Sequence, residues 1–346
     1  MRRLLVVAAA IAASGIGLSA QESTYKVLKT VKAGGDGGFD YVYADSAGRR
    51  LYIPRSGANA RVMVFNLDTL EPVGEIPKVS ARGAAVDPAS HHGFASSKPV
   101  AMWDTNTLAV LKTIDVQGNP DGIMFDPFNE RVYVFSHSAP NATVIDAKDG
   151  SVVGTIDLGG APEQAVTDDK GHIYVALEDK DVVAAVDAKT MAVTARYDIA
   201  GKGGGPAGLG FDVKNGILFA GCHDPQTMVI LNAKDGKVIT ALPIGSGVDG
   251  TLFNPATMEA FSTQGNGTMT IIKEKSPTKF EVEQNLKTWP SNGARTVAFD
   301  SKTGHLFAMA SEAAPPPPSP PPGTPGGPGR GRAVPGSFTI IMVGMK

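Results

Sequence analysis

The residues best suited to binding chemistry recur at one fixed distance from a repeated turn. This turn carries an Asp or Asn at seven places: Asp45, Asp87, Asp126, Asp168, Asp212, Asn254 and Asp300. Six of the seven residues five positions earlier are charged, and the seven are Asp40, Arg82, Asp121, Glu163, Ala207, Asp249 and Arg295. We name these seven residues the collar, because equivalent positions in a closed ring of repeats would surround one mouth of its channel.

Two interpretations of the collar remain open. The order of charges allows ion pairs between neighbouring repeats, because Arg82 falls between Asp40 and Asp121. Arg295 falls in the same way between Asp249 and, across the closure of the ring, Asp40. Partly buried carboxylates need such partners. A ring of charged groups at a channel mouth equally suits a bound ligand or ion.

A second offset points to a metal. Four residues after the aromatic of three consecutive repeats lie His137, Glu178 and His223, on the same side of the ring as Glu163. Neither collar position beside Glu163 is an arginine, and the small Ala207 at one of them leaves space. Imidazole and carboxylate groups bind divalent metals, so Glu163, His137 and His223 are candidate ligands. The alternative is surface histidines without a ligand, since the three come from separate loops.

Seven sequence repeats must position these side chains. An apolar residue, an Asp or Asn, a short turn and an aromatic in a strand recur, as in FDPFNERVYV and FDSKTGHLFA. The aromatics follow one another at intervals of 39 to 46 residues and are Tyr52, Phe94, Tyr133, Tyr174, Phe219, Phe261 and Phe307. A second hairpin follows in most repeats, for example ATVIDAKDGSVVGTI. Two hairpins in each period of about 40 residues indicate the blades of a β-propeller.

The sequence therefore predicts an all-β fold, a seven-bladed β-propeller of four-stranded antiparallel blades. The last repeat stops after a third strand at 337–343, and the alternating segment Tyr25–Lys32 supplies the missing fourth. We expect the N- and C-terminal strands to pair in the last blade, because this pairing removes open sheet edges.

A Pro/Gly-rich segment, 313–336, interrupts the last blade. Proline withholds backbone N–H groups from a sheet, so we expect a disordered loop inserted in the blade. The alternative is a docking peptide or a contact made through Arg330 and Arg332.

One repeat carries a family resemblance. ATVIDAKDGSVVGTIDLGGAPEQAVTDDKGHIYVA resembles the YVTN-type propeller repeat, with its V-I-D-x-x-T/D-G, T-I-x-x-G-x-x-P and Y-V elements. The similarity extends over 39–307, weakens in the sixth repeat, and makes the chain similar to exported YncE-like proteins. The resemblance implies a binding or scaffold protein with ligands on one face, and some such relatives are lactonases or quinoprotein dehydrogenase subunits. The resemblance supports a prediction of the fold more directly than a prediction of the activity.

The N-terminal segment predicts export. Residues 1–20, MRRLLVVAAAIAASGIGLSA, join two arginines to an apolar run too short to span a bilayer comfortably. We expect a signal peptide cleaved after Ala20, a propeller over 21–346, and a periplasmic or secreted protein without a transmembrane segment. An uncleaved anchor is the alternative. Cys222 is the only cysteine, so no internal disulfide can form. We expect Cys222 to be a buried thiol rather than a nucleophile.

The remaining chemistry narrows the function. A net charge of −2 provides no basic field for nucleic acid, and no P-loop, dinucleotide or G-x-S-x-G motif lies on a strand–helix unit. The sequence predicts an exported, non-enzymatic, monomeric protein that binds a partner protein or a small polar ligand at the channel-mouth face. It predicts no cofactor beyond the candidate divalent metal. A lactonase-like hydrolase using a metal or a carboxylate/Arg site, and a redox-partner subunit, are the alternatives.

Overall fold

The repeats fold into seven four-stranded antiparallel sheets arranged as a ring in a computed structural model, which describes residues 25–139, 141–290, 294–314 and 333–345. This architecture confirms the predicted seven-bladed β-propeller. The predicted signal peptide, most of the predicted insertion, and Arg330 and Arg332 lie outside the described residues. The one helix within these ranges is a three-residue 3-10 turn, Glu178–Lys180.

Each blade runs from the channel outwards in chain order, except the last. The first two blades contain β2 (Tyr43–Asp45), β3 (Arg50–Arg55), β4 (Arg61–Asn66), β5 (Pro72–Pro77), β6 (Ala81–Asp87), β7 (His92–Ser97), β8 (Val100–Asp104) and β9 (Val110–Ile114). The third and fourth contain β10 (Pro120–Asp126), β11 (Arg131–Ser136), β12 (Asn141–Asp146), β13 (Val152–Asp157), β14 (Pro162–Thr167), β15 (His172–Leu177), β16 (Val182–Asp187) and β17 (Ala192–Asp198). The fifth and sixth contain β18 (Pro206–Asp212), β19 (Ile217–Cys222), β20 (Thr227–Asn232), β21 (Val238–Pro243), β22 (Val248–Asn254), β23 (Glu259–Gln264), β24 (Thr268–Ser276) and β25 (Lys279–Lys287). The seventh contains β26 (Arg295–Phe299), β27 (Leu306–Ala310), β28 (Thr339–Met345) and β1 (Tyr25–Lys32).

Local chemistry explains why the repeats form hairpins. The Asp or Asn of each repeated turn accepts a backbone N–H two residues later, as Asp212 Oδ1 does from Lys214 N at 3.0 Å. Such side-chain bonds mimic a backbone turn and fix the reversal of the chain. The aromatic in the following strand is buried in every blade, with Tyr174 the most exposed at 7%. Burial of these rings between adjacent blades supplies the apolar packing that joins one repeat to the next.

The terminal strands close the ring, as the sequence predicts. Strand β1 pairs antiparallel with β28, whose first residue lies two positions after the predicted start. Tyr25 at the start of β1 is buried, and its ring meets Phe261 of the sixth blade edge-on with centroids 5.1 Å apart. Its hydroxyl donates to Glu259, and its backbone N donates to Gln284 Oε1 at 3.1 Å. The N-terminal strand therefore completes the seventh blade and fastens it to the sixth.

The described ends of the predicted insertion lie side by side. Ala313 and Ala333 form an isolated antiparallel bridge, and Val334 N donates to Glu312 O at 2.8 Å. The two ends leave and re-enter the blade at one point, so β27 and β28 keep their pairing with each other.

Substitution of Tyr25 tests the role of the closing strand β1. Tyr25→Ala removes a buried ring from the contact between the sixth and seventh blades, and we expect the free energy of unfolding to fall by about 3–5 kcal/mol. Thr30→Ala changes an exposed residue of the same strand and should leave stability within about 0.5 kcal/mol of the original. Urea unfolding measures both, and equal effects of the two substitutions would contradict the closure described here.

Candidate functional site

One mouth of the channel opens into a cavity of ≈ 940 Å³. Loops that enter the innermost strands and loops that join second to third strands surround it, and we name this side of the ring the collar face. All seven collar residues line the cavity, together with Glu178 and His223. The repeat offsets therefore bring together residues from seven separate blades, while their binding role stays a prediction.

On one side of the cavity the collar forms ion pairs. Arg82 Nη1 lies 3.2 Å from Asp40 Oδ2, and Arg82 Nε lies 3.5 Å from Asp121 Oδ1. Burial raises the pKa of Asp40 to about 7, and the charges of Asp249 and Asp121 add to that effect. The charges of Arg295 and Arg82 oppose the rise without cancelling it. Arg82 is half exposed, so its pairs compensate the carboxylates only in part.

A cationic and aromatic wall lies where the seventh blade meets the first. The guanidinium carbon of Arg295 is 5.3 Å from the centroid of Phe39, within reach of a cation–π contact. Asp249 accepts the backbone N–H of Thr296 at Oδ2, 2.7 Å away, which ties the sixth blade to the seventh. The charge of Arg295 also acts on Asp40, as the order of charges in the sequence suggested.

Arg55 stands behind this wall and was not found by sequence reasoning. It is buried, and its guanidinium carbon lies 3.7 Å from the centroid of Phe338. Its Nη2 donates to Gly37 O at 2.8 Å, and burial lowers the pKa of the guanidinium to about 10. Neither repeat offset reaches Arg55, since it is the last residue of β3.

Glu163 sits on the opposite side with partners of its own. The Tyr41 hydroxyl donates to Glu163 Oε2, and His137 Nε2 lies 3.3 Å from Glu163 Oε1. Burial raises the pKa of Glu163 to about 8; the charges of Asp121 and other carboxylates add to the rise, and the Tyr41 hydrogen bond opposes it. Sequence reasoning did not identify Tyr41, because it follows a collar residue and meets Glu163 only when the ring closes.

His137, Glu178 and His223 come together from three consecutive blades, next to Glu163. His137 Nε2 lies 3.3 Å from Glu178 Oε2, and His223 Nε2 lies 3.6 Å from Glu178 Oε1. His137 and His223 occupy the loops after β11 and β19, while Glu178 begins the 3-10 turn after β15. Ligand atoms of His137, Glu163 and Glu178 lie within 4.8 Å of one another. Adjacent blades thus hold these groups close enough to share a metal ion.

Below the collar the channel narrows to a cavity of ≈ 270 Å³. Gln164 lies here, and its Oε1 accepts the backbone N–H groups of Leu209 and Thr251, each at 3.0 Å. Its Nε2 donates to Thr251 O at 2.9 Å. One amide therefore links the inner strands of three blades and stiffens the floor of the larger cavity.

Cys222 is a buried free thiol, as the sequence analysis predicts. The thiol is fully buried, and burial raises its pKa to about 12. A protonated, inaccessible thiol is a poor nucleophile.

Comparison with known proteins supports the fold alone. No protein-family model matches the chain, and no curated protein matches it in sequence. A chain from the "Crystal Structure of Mitotic Checkpoint Complex" matches with a TM-score of 0.71 and 12% identity, over 89% of this chain and 96% of that one. A likeness at that identity shows the β-propeller architecture, and the YVTN-type family stays a prediction. Among the described residues, no helix is long and apolar enough to cross a membrane.

The pKa of Asp40 makes stability depend on pH in a defined direction. A carboxyl whose pKa is higher in the folded than in the unfolded state stabilises the fold at low pH, and that contribution disappears as pH rises towards 7. The Asn side chain of Asp40→Asn cannot ionise. The stability of this variant relative to the original protein should therefore increase by a few kcal/mol as the pH rises from 4 to 8.

Urea unfolding of metal-free protein at the two pH values measures this difference. Glu71→Gln, an exposed change in the same blade, is the control and should show no such gain. A constant difference between Asp40→Asn and the original protein across this range would contradict the assignment.

Proposed function

We propose that this propeller is a binding protein that holds a small polar ligand in the collar-face cavity. The observation that carries the proposal is a cavity of ≈ 940 Å³ lined by charged side chains from six different blades. Small-molecule sites are concave, measure about 300–1,000 Å³, and contain a few convergent polar groups. The β-propeller fold is commonly a binding scaffold, in agreement with this use.

The shape of the site favours a small ligand over a protein surface. Stable protein–protein interfaces bury about 1,200–2,000 Å² and centre on apolar or aromatic anchors. The collar face instead presents a concave ring of charges, with Arg82 already held by Asp40 and Asp121. A partner protein that inserted a polar side chain into the cavity would use the same chemistry.

The charges indicate which ligand groups would be recognised. Carboxylates outnumber guanidinium groups around the cavity, and burial together with the charges of Asp249 and Asp121 raises the pKa of Asp40. Hydroxyl or ammonium donors on a ligand would therefore be stabilised beside Asp40, Asp121 and Asp249. An acceptor or anionic group would bind at the Arg295 wall.

We also propose that the protein acts outside the cytoplasm. The arginines and short apolar run of 1–20 support export, and four residues separate Ala20 from the closing strand β1. Cleavage after Ala20 would therefore leave the ring complete. Mass spectrometry of the protein recovered from the periplasm or medium tests this, and an intact Met1 there would contradict cleavage.

A lactonase-like hydrolase is the second candidate. Imidazole and carboxylates meet at His137, Glu163 and Glu178, and Arg82 is near enough for its charge to interact with Glu163. Such groups activate water and polarise a carbonyl. Turnover of a lactone panel that falls at least tenfold in Glu163→Gln would favour this candidate, whereas no turnover of any member would count against it.

A thermal-shift screen tests the binding proposal. The panel contains sugars, amino sugars, polyamines, amino acids and hydroxy acids, which place donors or anionic groups in different arrangements. For any compound that stabilises the protein, the triple change Asp121→Asn, Glu163→Gln and Asp249→Asn should weaken binding at least tenfold, because each substitution removes a carboxyl group that lines the cavity.

Asp235→Asn provides the matched control, because its exposed ion pair with Lys237 lies in a turn on the opposite face. This substitution should leave affinity unchanged. Binding that persists in the triple variant, or that is lost in Asp235→Asn, would contradict the site.

A further inference from the structure

The nitrogen and oxygen atoms beside Glu163 have the spacing of a metal centre. His137 Nε2 lies 3.3 Å from both Glu163 Oε1 and Glu178 Oε2. Tetrahedral ligands at the usual zinc distances of 2.0–2.1 Å are separated by about 3.3–3.4 Å from one another. Two edges of this triangle therefore already match a shared ion.

One imidazole nitrogen faces two carboxylate oxygens in the cluster. An imidazole carries at most one proton on Nε2, so this atom of His137 donates at most one hydrogen bond. The geometry of a hydrogen bond is met towards Glu178 Oε2. Glu163 Oε1 lies equally close to the same nitrogen, and an ion bound by all three atoms would satisfy both carboxylates at once.

We propose that His137, Glu163 and Glu178 bind one divalent metal ion of the transition-metal series or its neighbour zinc, with Zn²⁺ as the representative ion. Mixed imidazole and carboxylate ligands suit zinc and its transition-metal neighbours, whereas calcium and magnesium prefer oxygen atoms alone. The ion also relieves the excess of negative charge around the cavity. Metal binding at this site does not require a bound small molecule, so it is independent of the proposed small-molecule function.

His223 positions the ligand rather than binding the ion. Its Nε2 lies 3.6 Å from Glu178 Oε1, whereas His137 Nε2 lies against the other carboxylate oxygen, Oε2. Partners of this kind orient a ligating carboxylate. Gly205 lies beside both side chains and has a φ of +57°, in the left-handed region that favours glycine.

The coordination positions left by three protein ligands face the cavity, since Glu163 and Glu178 line it. Zinc sites with three protein ligands keep a position for water or a ligand atom. An oxygen donor of the small polar ligand would occupy that position; this single point rests on the proposed function.

Calorimetric titration of chelator-treated protein with Zn²⁺, and optical titration with Co²⁺, tests the proposal. We expect one ion per chain and a Co²⁺ spectrum of nitrogen and oxygen coordination. His137→Ala and Glu178→Gln should each weaken binding by more than about 100-fold, and His223→Ala by about 10-fold, the size typical of outer partners.

His172→Ala is the matched control. His172 Nδ1 lies 2.7 Å from Asp168 Oδ2 in an exposed pair at the turn between β14 and β15, on the opposite face. Its loss should leave the affinity for Zn²⁺ unchanged. Thermal unfolding without metal identifies any variant that fails to fold, and Glu163→Gln then replaces it.

No saturable Zn²⁺ or Co²⁺ binding would overturn the metal site, as would binding that survives both His137→Ala and Glu178→Gln. Neither result would affect ligand binding in the thermal-shift screen run with chelator, so the two proposals fail separately. Binding lost in His172→Ala would place the ion on the other face and also overturn the proposal.

Discussion

The pairing of β1 with β28 is the interaction on which the rest of the structure depends. It joins the first described strand to the last, and Tyr25 fastens the completed blade to its neighbour. A ring that failed to close would leave an open sheet edge and would separate the first blade from the seventh. The collar exists only in the closed ring, because its members come from blades far apart in sequence.

Closure of the ring also brings the carboxylates of the collar close together. Carboxylates that belong to separate blades are forced to share one partly buried mouth, where desolvation and mutual repulsion both raise the pKa of Asp40. The Arg82 pairs relieve this on one side, so the ion-pair interpretation of the collar describes that arc well. On the other side histidines take the place of arginines. The histidine side is the arc that we propose binds the metal ion.

The sequence predicted what local or periodic chemistry controls. Turn residues such as Asp212 act within one repeat, and core aromatics such as Phe219 occupy the same place in every repeat. Their period therefore revealed the blades and the equivalent collar positions. Tyr41 escaped prediction because it meets Glu163 across 122 residues, and no repeat offset connects them. Gln164 and Arg55 escaped for the same reason. Such contacts depend on how the ring closes, which a pattern of spacing does not specify.

The central claim is that the His137–Glu163–Glu178 arc of the collar face binds, and an anomalous-diffraction map of crystals grown with Zn²⁺ tests it most directly. The account predicts one strong peak at about 2.0–2.2 Å from His137 Nε2 and from a carboxylate oxygen of Glu163 and of Glu178. A map with no peak at the collar, or with its strongest peak beside His172 and Asp168, would contradict it.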